Sequence, residues 1–308
     1  FYTSLNAEVK VVTSIKPLHS LASFLMDCVA KPDLIVDGYA SPHGFAMNPS
    51  HAKMLQNADL IFWVGEDLES FLEKPLSSIA KKAEKIELME IKGLNVLKFR
   101  ERNIFDEHDH DDHDDHGKKE DDHDDHDHDD HGKKEEHDDH DDHDGHEGHA
   151  HGEYDPHIWL DPMNAKVILN EMVEHLIEND AKNAAKYKSN LKKALKEIDK
   201  LNKDVKAELS KSTASIVFHD AYQYFEKRFN VNILGAFTVN TDVMPGAEQL
   251  KEIREVIEHD KVACLFSDPE FNPDIIKAVA KDMNIKTGIV DPLGATLNPG
   301  KILYFDLI

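Results

Sequence analysis

Four side chains stand where a small-ion site could be assembled: His43, His157, His219 and Asp291. His219 directly follows the apolar run 215–218, and His43 lies in a loop after the run 33–36. Asp291 follows the run 287–290 and precedes Pro292, and His157 sits in D-P-H-I-W-L-D-P, stiffened by Pro156 and Pro162. Open parallel sheets bind ligands beyond the carboxyl ends of their strands. Two facing lobes could therefore present His43 from one side and His219 with Asp291 from the other. Three imidazoles with a carboxylate or a water make a tetrahedral set that zinc accepts. The same set with an open fourth position could activate water for hydrolysis. Asp220 and Asp161 stand beside ligands as bases for that chemistry, but no H-E-x-x-H spacing occurs.

The other histidines divide sharply. His175 and His259 sit among helical charges and read as surface residues, and His19 and His51 near helix starts read as structural. Fourteen of the 21 His crowd into residues 106–151 with 23 Asp or Glu and four Lys, a net charge of −19. The motif H-D-D-H recurs at 113–116, 123–126 and 137–140, and D-H-G-K-K-E at 115–120 and 130–135. Such a segment has too little apolar surface to offset the entropy of ordering, so the composition predicts disorder. Imidazole and carboxylate together suit zinc, nickel or copper in many weak, exchangeable sites.

The elements that must position the isolated residues follow from the apolar patterning. Strands are predicted at 9–13, 33–36, 58–65 and 86–89, and again at 215–218, 232–237, 263–267 and 287–290. Pro17 and Pro49 open helices in the first half, and helical stretches at 221–229, 246–259 and 273–283 separate the strands of the second. This alternation predicts an α/β fold of two similar lobes, each a parallel sheet of about four strands flanked by helices. Between them 181–210 carries Tyr187, Leu191, Leu195, Ile198, Leu201, Val205 and Leu209 at helical spacing without Gly or Pro. It predicts one long, rigid linking helix packed along both lobes. The resulting division is an N-terminal lobe 8–105, a His/Asp-rich loop 106–153, a loop and helix 154–180, the linking helix 181–210 and a C-terminal lobe 211–308.

The chain's 308 residues can bury two cores. Its formal charge of −25 falls to −6 outside the insert, and the acidic surface argues against nucleic acid as a partner. No apolar run is long enough to span a membrane. Residues 1–7, F-Y-T-S-L-N-A, fit the tail of a cleaved signal peptide or a disordered leader, and no Cys near the start supports a lipid anchor. Cys28 and Cys264 do not have metal-type spacing.

The longer motifs carry a resemblance. S-I-K-P-L (14–18), S-P-H-G-F-A-M-N-P-S (41–50), L-Q-N-A-D-L-I-F-W-V-G (55–65), P-H-I-W-L-D-P (156–162), F-H-D-A-Y-Q-Y-F (218–225), P-G-A-E-Q-L-K-E-I-R (245–254) and D-P-L-G (291–294) span most of the chain. In them the chain resembles the metal-binding solute-binding proteins that feed bacterial ABC importers, and in particular their zinc branch, in which an acidic His-rich insert before the second ligand is typical. The resemblance implies a periplasmic, non-enzymatic protein that captures a zinc ion and delivers it to a membrane permease. It implies His43, His157 and His219 as ligands and Asp291 as the fourth, with water as the alternative. Relatives often carry Glu before the first ligand, where this chain has Pro42, and often pair the Cys matching Cys264 with another near the C-terminus, which this sequence lacks. Histidine at 219, where manganese-binding relatives carry Glu, favours zinc over manganese. A monomer with one tight interlobe site and weak sites in the insert is expected. Zinc buffering by the insert, adhesion and zinc-dependent hydrolysis are the competing readings.

Overall fold

The computed structural model describes residues 8–100, 102–105, 152–209, 213–239, 241 and 243–308. The expectations of a leader at 1–7 and of a disordered, weakly metal-binding insert at 106–151 fall outside the described residues.

The first lobe runs β1 (Val11–Ile15), α1 (Lys16–Leu25), β2 (Asp33–Val36), α2 (Pro49–Asn57), β3 (Leu60–Trp63), α3 (Glu66–Ser78) and β4 (Glu84–Glu87). The chain then returns through a 3-10 turn at Ile158–Leu160 into α4 (Pro162–Asn179) and α5 (Ala184–Glu208). The second lobe runs β5 (Ser215–His219), α6 (Gln223–Phe229), β6 (Ile233–Thr238), α7 (Ala247–His259), β7 (Cys264–Ser267), α8 (Asp274–Met283), β8 (Lys286–Ile289) and α9 (Leu303–Leu307). Both sheets are parallel and share one topology, β2-β1-β3-β4 and β6-β5-β7-β8.

Local chemistry sets the boundaries. Pro17 sits in the first turn of α1, where its missing N–H costs nothing. Asn48 caps α2 by accepting from Ser50 and His51, and His51 Nδ1 accepts from the Asn48 backbone N–H in return. Asp161 caps α4 ahead of Pro162, and α6 and α8 end on Asn230 and Asn284 in the left-handed region that Asn tolerates.

The eight predicted strands are present, shifted by at most two residues at most ends. The periodicity reading passed over α3 and the short α9. It also placed the long helix along both lobes, whereas α5 packs chiefly on α4 and α1 of the first. Its buried residues, Tyr187, Asn190, Ala194 and Ile198, all lie in its first half. There Asn190 Nδ2 donates to the carbonyls of Leu25 and Asp27 at 2.8 and 3.0 Å. Beyond Ile198 the apolar positions Leu201 and Val205 are only half-buried, Leu201 sharing an open groove with Ile302 and Phe305 near the end of the chain.

What joins the lobes is a shared core and the end of the chain. Val217, Tyr224 and Ala236 of the second lobe belong to the same continuous core as β1 and β3. Trp159 Nε1 donates to Pro292 O at 2.7 Å, and Tyr304 Oη donates to Trp159 O at 2.8 Å. Lys16, 4% exposed, donates to the carbonyls of Gly294, Ala295 and Leu297 at 3.0–3.2 Å. Residues 103–105 also cross over. Ala236 N donates to Asn103 O and Phe105 N to Leu234 O, extending the edge at β6. Gly235 permits this approach, since a Cβ there would meet Asn103 O at 2.5 Å.

A buried acid sits apart from these contacts. Glu69 is fully buried, and its Oε2 accepts from Val64 N and Gly65 N at 2.8 and 3.1 Å. Burial pushes its carboxyl up to about 7. A raised acid contributes stability that is complete below its unfolded value of 4.5 and is lost as pH rises through about 7. Glu69→Gln keeps an acceptor and cannot ionise. Its thermal midpoint should match the parent near pH 4.5 and exceed it increasingly toward pH 8, by on the order of 2–3 kcal/mol. Parallel melts across that range check this; a constant offset would refute it.

Candidate metal centre

Three imidazoles meet where the lobes face each other. His219 is the last residue of β5. His43 lies on the loop between β2 and α2, its backbone N–H donating to Ser41 Oγ at 3.3 Å. His157 opens the turn that leads into α4. Their ring centroids stand 5.0–5.5 Å apart. One nitrogen from each lies within 4.8 Å of the others. Nitrogens bound to one zinc at 2.0–2.1 Å stand about 3.3 Å apart, so small ring movements complete the set. Ser41, Pro42, Trp159, Glu270, Phe271, Pro292 and Leu293 wall the pocket with the three rings. The free space, ≈ 10 Å³ for the centre of a water-sized body, suits a single ion and no organic substrate.

The surroundings prepare His219 as a neutral donor. Burial holds His219 well below the usual imidazole range, and the neighbouring His157 and His43 push the same way. His157 Nδ1 bonds Asp155 Oδ1 at 2.7 Å. Asp155 is itself fixed, accepting from His157 N at 2.9 Å and from Gln223 Nε2 at 3.3 Å. Behind His219, Asp268 Oδ2 lies 3.9 Å from Nδ1, and Asp268 Oδ1 accepts from Tyr222 Oη at 2.9 Å. Carboxylates behind metal-binding imidazoles fix tautomer and basicity. Asp155→Asn should therefore weaken zinc binding about 10–100-fold while leaving the fold intact; an unchanged affinity in a competition titration would show that His157 needs no such partner.

The remaining sequence nominations fall into place individually. Asp291 lies beside the pocket, in the loop after β8. Its carboxylate accepts from Ala295 N, Thr296 N and Thr296 Oγ1 at 2.8–3.0 Å. It is outside the group of mutually close donors found among the described residues. Asp220 pairs with Arg100 at 3.0 Å, and Asp161 receives two bonds from Arg228 at 2.6 Å, so both acids considered as bases are engaged away from the imidazoles. His51 caps a helix, His19 Nε2 bonds Pro32 O at 3.2 Å, and His259 stands exposed beside Asp260. His175, with Glu84 and Glu178, forms a second close group, but carboxylates at 2.7 and 3.2 Å already engage both of its ring nitrogens. Cys28 and Cys264 are both free thiols.

Sequence reading missed Asp155, Asp268, Lys16 and Glu270. Each carried a signal: Asp155 is two residues before a nominated ligand, Lys16 directly follows the first strand, and Asp268 and Glu270 follow a strand at the same sheet end as His219.

Two α/β lobes of one topology, closing on a buried three-imidazole pocket, define a metal-binding solute-binding protein. The family model of ZnuA, zinc-uptake complex component A, periplasmic, matches residues 11–308. A high-affinity zinc uptake system protein of Brucella abortus is 46% identical over 300 residues, covering 97% of this chain and 88% of that protein. Among solved structures, a crystal structure of ZnuA superimposes with TM-score 0.73 at 19% identity, covering 98% of this chain and 96% of the other. A laminin-binding protein of Streptococcus agalactiae, described as bifunctional with adhesin and metal-transporting activity, superimposes with TM-score 0.71 at 21% identity, covering 97% and 95%. The chain belongs to the ZnuA family of periplasmic zinc-uptake components, proteins that serve transport rather than catalysis. None of its described helices is long and apolar enough to cross a membrane.

Proposed function

We propose that the chain holds one zinc ion tightly through His43, His157 and His219 and releases it to the permease of an ABC importer. The convergence of the three imidazoles within 4.8 Å, buried between the lobes, carries this reading. Zinc is cargo here, so the pocket has to bind and let go without transforming anything. The fourth coordination position falls to a carboxylate or to water, and Asp291 is the residue the sequence nominates. The His/Asp-rich segment 106–151 supplies further weak sites that gather zinc nearby. The protein works as a monomer and reaches the periplasm by a cleaved leader.

A competition titration with zinc, on the whole chain and on one lacking 106–151, tests the proposal. One tight site surviving the deletion supports capture between the lobes. Loss of all tight binding with the segment would make the segment the binding element and the chain a zinc buffer.

A further inference from the structure

Three imidazoles decide which atoms reach the ion, and the walls decide how many others can join them. Phe271 stands in the turn after β7, closed by its own N–H donating to Asp268 O at 3.3 Å. Its ring packs on Phe218, centroids 5.1 Å apart, against the core of the second lobe. From that base it meets His219 edge-on, at 5.8 Å and 75°. Trp159 backs His157 in a similar way, at 5.3 Å, and its Nε1 is tied to Pro292 O. Pro42, Pro292 and Leu293 are further walls. The two polar walls are engaged elsewhere: Ser41 Oγ accepts from His43 N, and Glu270 bonds Asp291 and backbone. A buried water needs two to four polar partners, and apolar cavities stay dry. The free space, ≈ 10 Å³ for the centre of a water-sized body, admits one further donor beside the rings.

We propose that Phe271 is a specificity-determining residue, whose ring holds the bound ion to four donors and so favours zinc over divalent ions that need a fuller shell. This rests on the three-imidazole reading and deepens it. Ligand type alone discriminates against manganese but leaves nickel a strong competitor. Geometry separates the two that remain. Zinc has no d-electron preference and is satisfied by a tetrahedral set, whereas nickel(II) takes a tetragonal one and manganese(II) an octahedral one. With three places taken by imidazoles and room for one donor more, those ions would have to keep water molecules where the Phe271 ring stands. Trp159 adds to the same wall, but it is fully buried and bonds both Pro292 and Tyr304, so it also holds the lobes together. Phe271 is half-buried on a turn, which makes it the wall that can be changed by itself.

Competition titrations with zinc and with nickel, and cobalt(II) absorption at one equivalent of metal, test this. They are applied to the full chain and to its Phe271→Ala, Phe271→Val and His219→Ala variants. Segment 106–151 is common to all of them, so its weak sites drop out of the comparison. The parent should show the intense visible bands of four-coordinate cobalt. Phe271→Ala should raise nickel affinity relative to zinc about tenfold and replace those bands by the weak ones of a six-coordinate ion. Phe271→Val, milder on the core, should shift both in the same direction by less, and it stands in for the alanine variant should that one not fold. An unchanged nickel-to-zinc ratio with unchanged band intensity overturns the proposal. Equal losses of zinc and nickel affinity overturn it too, because the ring would then serve only to hold His219 in place. If His219→Ala leaves zinc and cobalt binding untouched, the three-imidazole site itself falls, which separates the two failures.

Discussion

His219→Ala should abolish tight zinc binding in the chain lacking 106–151 and reduce it to the weak sites of the insert in the whole chain. The size of the loss follows from sharing. Four-donor structural zinc sites bind with about 10–16 kcal/mol, or roughly 2.5–4 kcal/mol for each donor. That corresponds to two to three decades in dissociation constant. His219 should show the full effect because it ends β5 and is 4% exposed, so neither the backbone nor a neighbouring side chain can move to replace it. His43, on a loop and half-buried, has more freedom. Competition titration of both variants would measure the difference. A His219→Ala protein that holds zinc as tightly as the parent would exclude the interlobe site.

Lys16→Met should be the most destabilising single change outside the core. The side chain preserves length and apolar packing but strips the buried carbonyls of Gly294 and Ala295, and the half-buried one of Leu297, of their donor. Its ion pair with Asp37 at 3.3 Å adds little, because Asp37 is 60% exposed. Unsatisfied buried groups cost about 1–3 kcal/mol each. With partial relaxation the variant should lose about 3–5 kcal/mol and melt roughly 10 °C lower. Zinc affinity should fall less than in His219→Ala, since Lys16 touches the loop behind the pocket and not the imidazoles. A melting point within two or three degrees of the parent, by about the same scale, would mean the loop holds without it.

The strands and the three imidazoles were legible because each depends on short-range pattern. An apolar run fixes a strand, and a polar residue at its end, as with His219 after 215–218, marks the ligand side of the sheet. The packing of α5 was not legible. Its heptad-like spacing reads the same whether one lobe or two cover it, and only tertiary contact decides that Tyr187 to Ile198 are buried and Leu201 onward are not. The partners of Asp291 and Glu270 were hidden for a related reason. Both are acids after strands. Asp291 finds backbone amides in its own loop and Glu270 faces Asp291, a difference in turn geometry that residue type does not encode. Lys16 was invisible as a clasp because its acceptors lie 278 or more residues away.

The repeated topology makes Lys16 and His219 counterparts in position. Lys16 follows β1 directly and His219 ends β5, the equivalent central strands of sheets ordered β2-β1-β3-β4 and β6-β5-β7-β8. The first lobe's crevice, where an open sheet takes its ligand, is thus already filled by the chain's own loop. A clamshell that must swing shut diverts part of its ligand's binding energy into closing. A molecule already held shut by its own backbone diverts almost none, and the coordination energy appears directly as affinity. Loaded and empty forms should then share one outline, and an unchanged radius of gyration on adding zinc, read by solution scattering, would check this.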